Sequence, residues 1–171
     1  ICISTQVGCR MGCTFCATGK SGFSRNLTAS EMLAQIQSAQ KDLGIQISNI
    51  VLMGMGEPLD NYQQVLRFLE LVSSDEGMNI GMRHISVSTC GIVDKIYDMA
   101  NRKLQCTLSV SLHAPNDNLR SQTMPINKKW GVAQLLKACK YYSDTTSRRI
   151  SFEYAMISGL NDSDAQAQEL A

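Results

Sequence analysis

The chain contains no run approaching the ~20 apolar residues that span a bilayer, and no apolar segment near its start resembles a signal peptide. Charge of one sign is also missing: 16 Lys and Arg against 15 Asp and Glu leave a formal net charge of +1. A near-neutral chain has no global electrostatic attraction for nucleic acid, so such a partner must be met by local patches or by further parts of the protein. No Gly-x-Gly-x-x-Gly follows the first strand-like run, which leaves a dinucleotide-binding Rossmann fold little support. A disulfide framework is disfavoured, because the seven cysteines are an odd number and the later ones lie inside apolar patterns. Thiols kept reduced point to the cytoplasm.

What the chain does have is concentrated at its start. Four of the seven cysteines fall within the first sixteen residues, and Cys9, Cys13 and Cys16 are spaced Cys-x3-Cys-x2-Cys on a Gly-rich turn. Thiolate sets select zinc, copper or iron-sulfur centres, and structural zinc sites nearly always complete four protein ligands. Three ligands with no fourth nearby suit a four-iron cluster with one open iron. A zinc knuckle completed by a distant His or Cys is the alternative. Gly8 and Gly12 allow the backbone to wrap closely, and Phe15 lies between the last two ligands.

At 171 residues the length suits a single domain. The sequence opens on Ile1 in a strand-like run and closes on Ala171 in a helix-like one, so it reads as an internal piece of a longer protein. Thr28-Ala29-Ser30-Glu31 is a capping box with Leu27 and Met32 as its staple, followed by Met32, Leu33, Ile36 and Leu43 on one face. A second helix begins near Asn61 with the stripe Tyr62, Val65, Leu66, Leu69 and Val72. A third runs from about Ile92 to Ala100, and a fourth carries Val132, Leu135, Leu136, Cys139 and Tyr142. Strands are expected at Cys2 to Gln6, Ile47 to Met53, His84 to Ser88, Cys106 to Leu112 and Ile150 to Met156. Strand-helix alternation at this spacing implies right-handed crossovers and a parallel sheet.

The strands alternate more than parallel strands buried on both faces do. Leu108 and Val110 alternate with Ser109 and Ser111, and Ile85 and Val87 with Ser86 and Ser88. Ile150, Phe152 and Tyr154 alternate with Ser151 and Glu153. A polar face opposite a helix-covered one is expected of a barrel or half-barrel holding a polar ligand. By phase Cys2 points inward and Cys106 outward.

Chemistry in such folds sits at the carboxyl ends of the strands. The first strand runs into the cysteine loop. The second ends in Gly54-Met55-Gly56-Glu57-Pro58-Leu59, where Glu57 supplies a carboxylate beside two glycines and an amino acid is the natural guest. The third ends in Ser88-Thr89-Cys90-Gly91 and the fourth in Ser111-Leu112-His113-Ala114-Pro115. Ser88 and Ser111 are placed to bond a ribose or a carboxylate, and His113 faces inward at a strand terminus. Cys90 and Cys139 read as space-filling core thiols. Lys20, Arg25, Arg120, Lys128 and Lys129 are candidate phosphate contacts.

Cys9-x3-Cys13-x2-Cys16 with Phe15, followed one βα unit later by Gly54-Met55-Gly56-Glu57-Pro58, resembles the radical S-adenosylmethionine superfamily. Gln6-Val7-Gly8-Cys9, Gly54 to Leu59, Ser111 to Asp117 and Met124-Pro125-Ile126-Asn127-Lys128-Lys129 narrow the resemblance to the RlmN family. These are methyltransferases of adenine carbon 2 in 23S rRNA and tRNA. Over residues 1–171 the resemblance implies an incomplete radical SAM core: a partial (β/α) barrel of parallel strands with outer helices, truncated at both ends. The N-terminal accessory domain and the last barrel strands would lie outside it. Cys9, Cys13 and Cys16 would ligate a 4Fe-4S cluster, and Gly56, Glu57, Ser88, Ser111, Leu112 and His113 would contact S-adenosyl-L-methionine.

In that family a methyl group is carried on a cysteine near the C-terminus, and a 5′-deoxyadenosyl radical removes hydrogen from it. The resulting carbon radical adds to the adenine, and a second cysteine helps release the adduct. Cys2 matches the second cysteine, a redox partner for disulfide formation with a cysteine this chain does not contain. The resemblance further implies a monomer that takes electrons from a reducing donor such as flavodoxin and contacts no membrane. Two alternatives stand beside it: a Cfr-like carbon-8 methyltransferase, from which Pro58 and Ala-Pro-Asn-Asp depart, and a non-catalytic zinc-binding RNA module.

Overall fold

The computed structural model describes residues 1–171. Its strands are β1 (Gln6–Gly8), β2 (Phe23–Asn26), β3 (Ile50–Leu52), β4 (Ile85–Thr89), β5 (Thr107–Ser111) and β6 (Ile150–Glu153). Its helices are α1 (Ala17–Lys20), α2 (Ala29–Leu43), α3 (Tyr62–Ser73), α4 (Val93–Asn101), α5 (Asp117–Thr123), α6 (Val132–Thr146) and α7 (Asp164–Leu170), with 3-10 turns at Met82–His84 and Pro125–Lys128. No helix is long and apolar enough to cross a membrane.

The four strands β3-β4-β5-β6 form a parallel sheet in that order. Residues 1 to 3 extend it past β3: Val51 donates to the Ile1 carbonyl at 2.9 Å and Ile3 to the Val51 carbonyl at 3.0 Å. Cys2 is thereby bridged in parallel to Val51. The expected first strand thus stops early. The amides of Thr5 and Gln6 both donate to the Met55 carbonyl, and the chain then turns into an antiparallel hairpin of β1 with β2. That hairpin, α1 and α5 lie outside the expected elements, because each is too short for a periodic pattern.

The α2 capping box forms as its spacing implies: the Thr28 hydroxyl accepts from Glu31 N at 3.2 Å and the Glu31 carboxylate from Thr28 N at 2.9 Å. Met32 and Ile36 are fully buried beneath it, whereas Leu43 is 66% exposed at the helix end. On α3, Phe68 is buried with Tyr62, Val65, Leu69 and Val72, while Leu66 is only half-buried. Asn61 precedes α3 without capping it by its side chain. Its amide instead donates to the Thr5 and Leu27 carbonyls, both at 2.8 Å, tying the hairpin to α3.

Val87, Leu108 and Val110 are fully buried in the core that includes Ile96 and Met99 of α4 and Leu135, Ala138 and Tyr142 of α6. The other sheet face is the polar one, where the Ser86 and Ser109 hydroxyls bond at 2.8 Å. Cys106 is fully buried, and its carbonyl accepts from the Tyr142 hydroxyl of α6. Cys2 is exposed, in register with Val51, which is itself in register with Ser86 on the polar face. Beyond β6, Phe152 and Leu136 share an open groove and remain 48% and 40% exposed, so Leu136 does not join the buried stripe of α6. All seven cysteines are free thiols, and the disulfide expected of Cys2 has no partner within the chain.

Candidate functional site

The loops after β3, β4 and β5 enclose a cavity of about 210 Å³ at the carboxyl ends of those strands. The cysteine loop supplies one wall with Cys9, Cys13, Phe15 and Cys16. Opposite lie Gly54, Gly56 and Glu57 after β3, Ser88 and Cys90 at the end of β4, and Ser111 and His113 at the end of β5. Leu112 and Cys2 do not line the cavity. The Leu112 side chain is 5% exposed and packs in the core. Cys2 sits one pleat deeper than Ser88 along the polar face.

Two glycines are required where backbones close in. Gly8 has φ of +79°, and a Cβ there would collide with the Gly22 carbonyl oxygen in the hairpin. Gly56 has φ of +108°, and a Cβ would stand 2.6 Å from the Gln6 Cβ. Gln6 is fully buried and joins the two regions: its side-chain Oε1 accepts from Glu57 N at 2.9 Å, and its Nε2 donates to the Asn26 and Asp60 side chains at 2.8 Å each. The loop is anchored at its other side by Thr14 N, which donates to the Thr123 carbonyl of α5.

Burial, and then the negative charge of the neighbouring Cys9 and Cys16, push the Cys13 thiol up to about 11. Cys9 is also raised, first by burial, against a lowering hydrogen bond from the Met11 main chain. Such thiols ionise readily only when a cation compensates the charge. No three His, Cys, Asp or Glu side chains converge closely enough to hold one metal ion. Three soft donors spread along one wall of a cavity fit a larger inorganic body, which the Cys-x3-Cys-x2-Cys loop would hold by three corners.

Glu57 lines the cavity and is also held by the main chain. It is 4% exposed, and its two oxygens accept from Leu59 N at 2.9 Å and Cys90 N at 2.7 Å. Burial raises its pKa, and these main-chain donors oppose the rise. The carboxylate therefore clamps the β3 turn to the end of β4.

Arg120 corrects the phosphate-contact expectation. It is fully buried in α5 and donates to the carbonyls of Leu112 at 3.1 Å, Cys90 at 2.6 Å and Ser111 at 3.0 Å, and to the Asn127 side chain at 3.0 Å. Its counter-charge reaches it indirectly, since Cys90 gives its carbonyl to Arg120 and its N–H to Glu57. A lone Arg in a short polar helix carries no local signal of this, because its partners come from three other segments. Among the remaining candidates, Arg25 is engaged by Glu31 at 2.8 Å, and the Lys129 ammonium stands over the Trp130 ring at 4.0 Å. Lys20 and Lys128 are exposed.

His113 has φ of +57°, an unusual conformation for a side chain-bearing residue. It is held by three partners: its N–H donates to the Glu153 carbonyl, its carbonyl accepts from Asn161, and Nδ1 accepts from Ala155 N at 2.9 Å. The last bond assigns the proton of the neutral ring to Nε2. Phe15 meets the ring edge-on, with centroids 4.9 Å apart. Burial, and then the Arg120 charge, lower the His113 pKa to about 4.

A base whose folded pKa lies below its unfolded value of 6.5 makes the folded state bind fewer protons. Its contribution to stability is present above the unfolded pKa and is lost as pH falls toward about 4. We expect His113→Gln to show a shallower loss of Tm than wild type across that acid interval. Equal slopes would show that His113 does not titrate in this way.

Glu153 on β6 also lines the cavity. Alternation put it on the polar face, but only the sheet register brings it beside Ser111.

These features define a class. A family model described as the Radical SAM superfamily matches residues 3–171, and the chain belongs to that superfamily. Two similar proteins bear the name probable dual-specificity RNA methyltransferase RlmN. The one from Clostridium novyi (strain NT) is 56% identical over 99% of this chain and 50% of its own length. The one from Clostridium tetani (strain Massachusetts / E88) is 56% identical over 100% of this chain and 49% of its own. A solved structure described as a radical SAM methyltransferase from Sphaerobacter thermophilus superposes with a TM-score of 0.95 at 50% identity, over 99% of this chain and 50% of that one. The chain spans about half the length of the curated relatives it matches.

Proposed function

We propose that this chain is the cofactor-binding core, over residues 1–171, of an RNA methyltransferase of the RlmN kind, acting on carbon 2 of adenine in 23S rRNA and tRNA. The observation that carries this reading is the composition of one cavity. Three thiols form a wall, and no Lys or Arg lines the rest. A zwitterionic amino-acid ligand would find no protein cation there for its carboxylate, so a metal centre must hold it.

Cys9, Cys13 and Cys16 would hold a 4Fe-4S cluster, and S-adenosyl-L-methionine would occupy the space toward β4 and β5. When bound, the reduced cluster supplies the electron that cleaves the sulfonium, chemistry that belongs to the cofactor. The chain's own residues bind and orient. Gly54 and Gly56 admit the ligand close to the backbone, and Glu57 clamps their turn. Ser88, Ser111 and the main chain of Leu112 border the nucleoside. The neutral His113 offers an Nε2 proton beside Phe15, and the two rings help exclude water. Cys2 stays on the polar face as an accessible thiol, the position suited to resolving a protein-RNA adduct with a second cysteine.

The free thiols support a reducing, cytoplasmic setting. A monomer receiving electrons from a flavodoxin-like donor completes the proposal.

Anaerobic reconstitution tests it. A brown protein holding about four irons with sulfide, and cleaving S-adenosyl-L-methionine on reduction, is expected of the enzyme carrying this core. Colourless protein with stoichiometric zinc would reject it in favour of a binding module. Mass spectrometry of treated RNA must place the methyl group on carbon 2, since carbon 8 would assign the Cfr-like reaction. The isolated 171-residue chain should form no methylated RNA.

A further inference from the structure

One acidic side chain at the cavity is not accounted for by cluster or amine binding. Of the two carboxylates in the lining, Glu57 has each oxygen engaged by a main-chain N–H. Glu153 differs. It is half-buried, and it belongs to none of the chain's ion pairs. Its Oε2 accepts from the Ser111 hydroxyl at 3.2 Å and from the Ser88 hydroxyl at 3.5 Å. Its backbone is locked by β5, since its carbonyl accepts from both Leu112 N and His113 N.

A serine hydroxyl has a single proton to donate. With both protons directed at Glu153, Ser88 and Ser111 show only lone pairs to the cavity, and the carboxylate is itself acceptor-only. The three side chains therefore repel a ligand carboxylate and complement a group bearing two adjacent donors. This arrangement favours the ribose over the carboxylate as the partner of Ser88 and Ser111. S-adenosyl-L-methionine carries three donor groups, its ammonium, the 6-amino group of its adenine and the vicinal diol of its ribose, and the amino group donates from a single atom while the diol donates from two adjacent ones. Under the proposed function, on which this inference rests, the ammonium is taken up at the cluster. The diol is left.

We infer that Glu153, braced by Ser88 and Ser111, recognises the vicinal diol of the nucleoside and determines the site's preference for ribo- over deoxy-ligands.

The test is equilibrium binding to the cluster-reconstituted holoprotein, anaerobic and unreduced so that nothing is cleaved. The probes are S-adenosyl-L-methionine and its 2′-deoxy and 3′-deoxy analogues. Wild type should bind at least one analogue about tenfold more weakly, the loss of a hydrogen bond to a charged group. Glu153→Ala should bind all three within about twofold of one another, and Glu153→Gln, which keeps one carbonyl acceptor, should fall between. Because the ratio is taken within each variant, the folded fraction of a preparation does not alter it. Persistence of the wild-type ratio in Glu153→Ala overturns the inference. So does loss of preference for S-adenosyl-L-methionine over S-adenosylhomocysteine with an unchanged deoxy ratio, which would show charge recognition instead. Wild type that holds its cluster yet binds none of the ligands would overturn the proposed function and this inference together.

Discussion

Arg120→Met should lower the stability of the protein by about 3 to 5 kcal/mol, the cost of breaking a buried charge network. For a chain of this size that is a fall in Tm of about 10 °C. The guanidinium donates to three main-chain carbonyls and one side-chain oxygen, all outside its own helix. Methionine has a similar reach but no donors, so those buried acceptors lose their partners, each at about 1 to 3 kcal/mol. It also leaves Glu57, which is 4% exposed, without its indirect counter-charge. Arg120→Lys keeps the charge but not the planar fork, and should recover only part of the loss. Chemical denaturation of the three proteins measures this. A loss below about 1 kcal/mol for methionine would place Arg120 among ordinary surface charges.

Cys13→Ala should show the opposite pattern, with chemistry lost and fold kept. Reductive cleavage of S-adenosyl-L-methionine should fall more than about a thousandfold, a small part of a typical enzymatic acceleration. Iron retained after gel filtration should drop with it. The stability of the cluster-free protein should change by less than about 1 kcal/mol, because the Cys13 side chain is only half-buried and alanine keeps its Cβ. Burial, with Cys9 and Cys16 adding to it, already holds this thiol protonated, up to about 11. Removing it relieves crowding among the three sulfurs. Iron content equal to wild type, or cleavage within tenfold of it, would rule out Cys13 as a ligand.

The two substitutions mark where the sequence was legible. The thiols of the loop declare themselves by spacing, since Cys-x3-Cys-x2-Cys is a local geometric statement about three donors. The same holds for the α2 capping box, where Thr28 and Glu31 lie within one turn and meet as expected. Legibility fails when a side chain's partner is remote. Asn61 stands at the N-cap of α3 yet bonds Thr5 and Leu27. Gln64, three residues into that helix, accepts from Ala29 N of α2 instead of reaching back to its own helix start. Leu43 and Leu136 have helical phase with the core stripes but lie past its edge, 66% and 40% exposed. Periodicity reports which face a residue shares, and not how far along that face the neighbouring layer extends.

The sequence by itself determined the alternation of the parallel strands with α2, α3, α4 and α6, the polar inner face of the sheet, the three-thiol loop and the glycine-rich turn. These rest on interactions within about one helical turn or one strand period, which the chain carries wherever it goes. The tertiary structure decided the rest. It clamped Glu57 to the Cys90 main chain and buried Arg120 behind the strand ends. It set Glu153 against two serines, and it set Phe15 against His113. The pairs Glu57 with Cys90, Arg120 with Cys90, Glu153 with Ser111 and Phe15 with His113 are each separated by thirty residues or more. Only the register of a parallel sheet, closed by helices on one side, brings them within hydrogen-bonding or ring-contact distance.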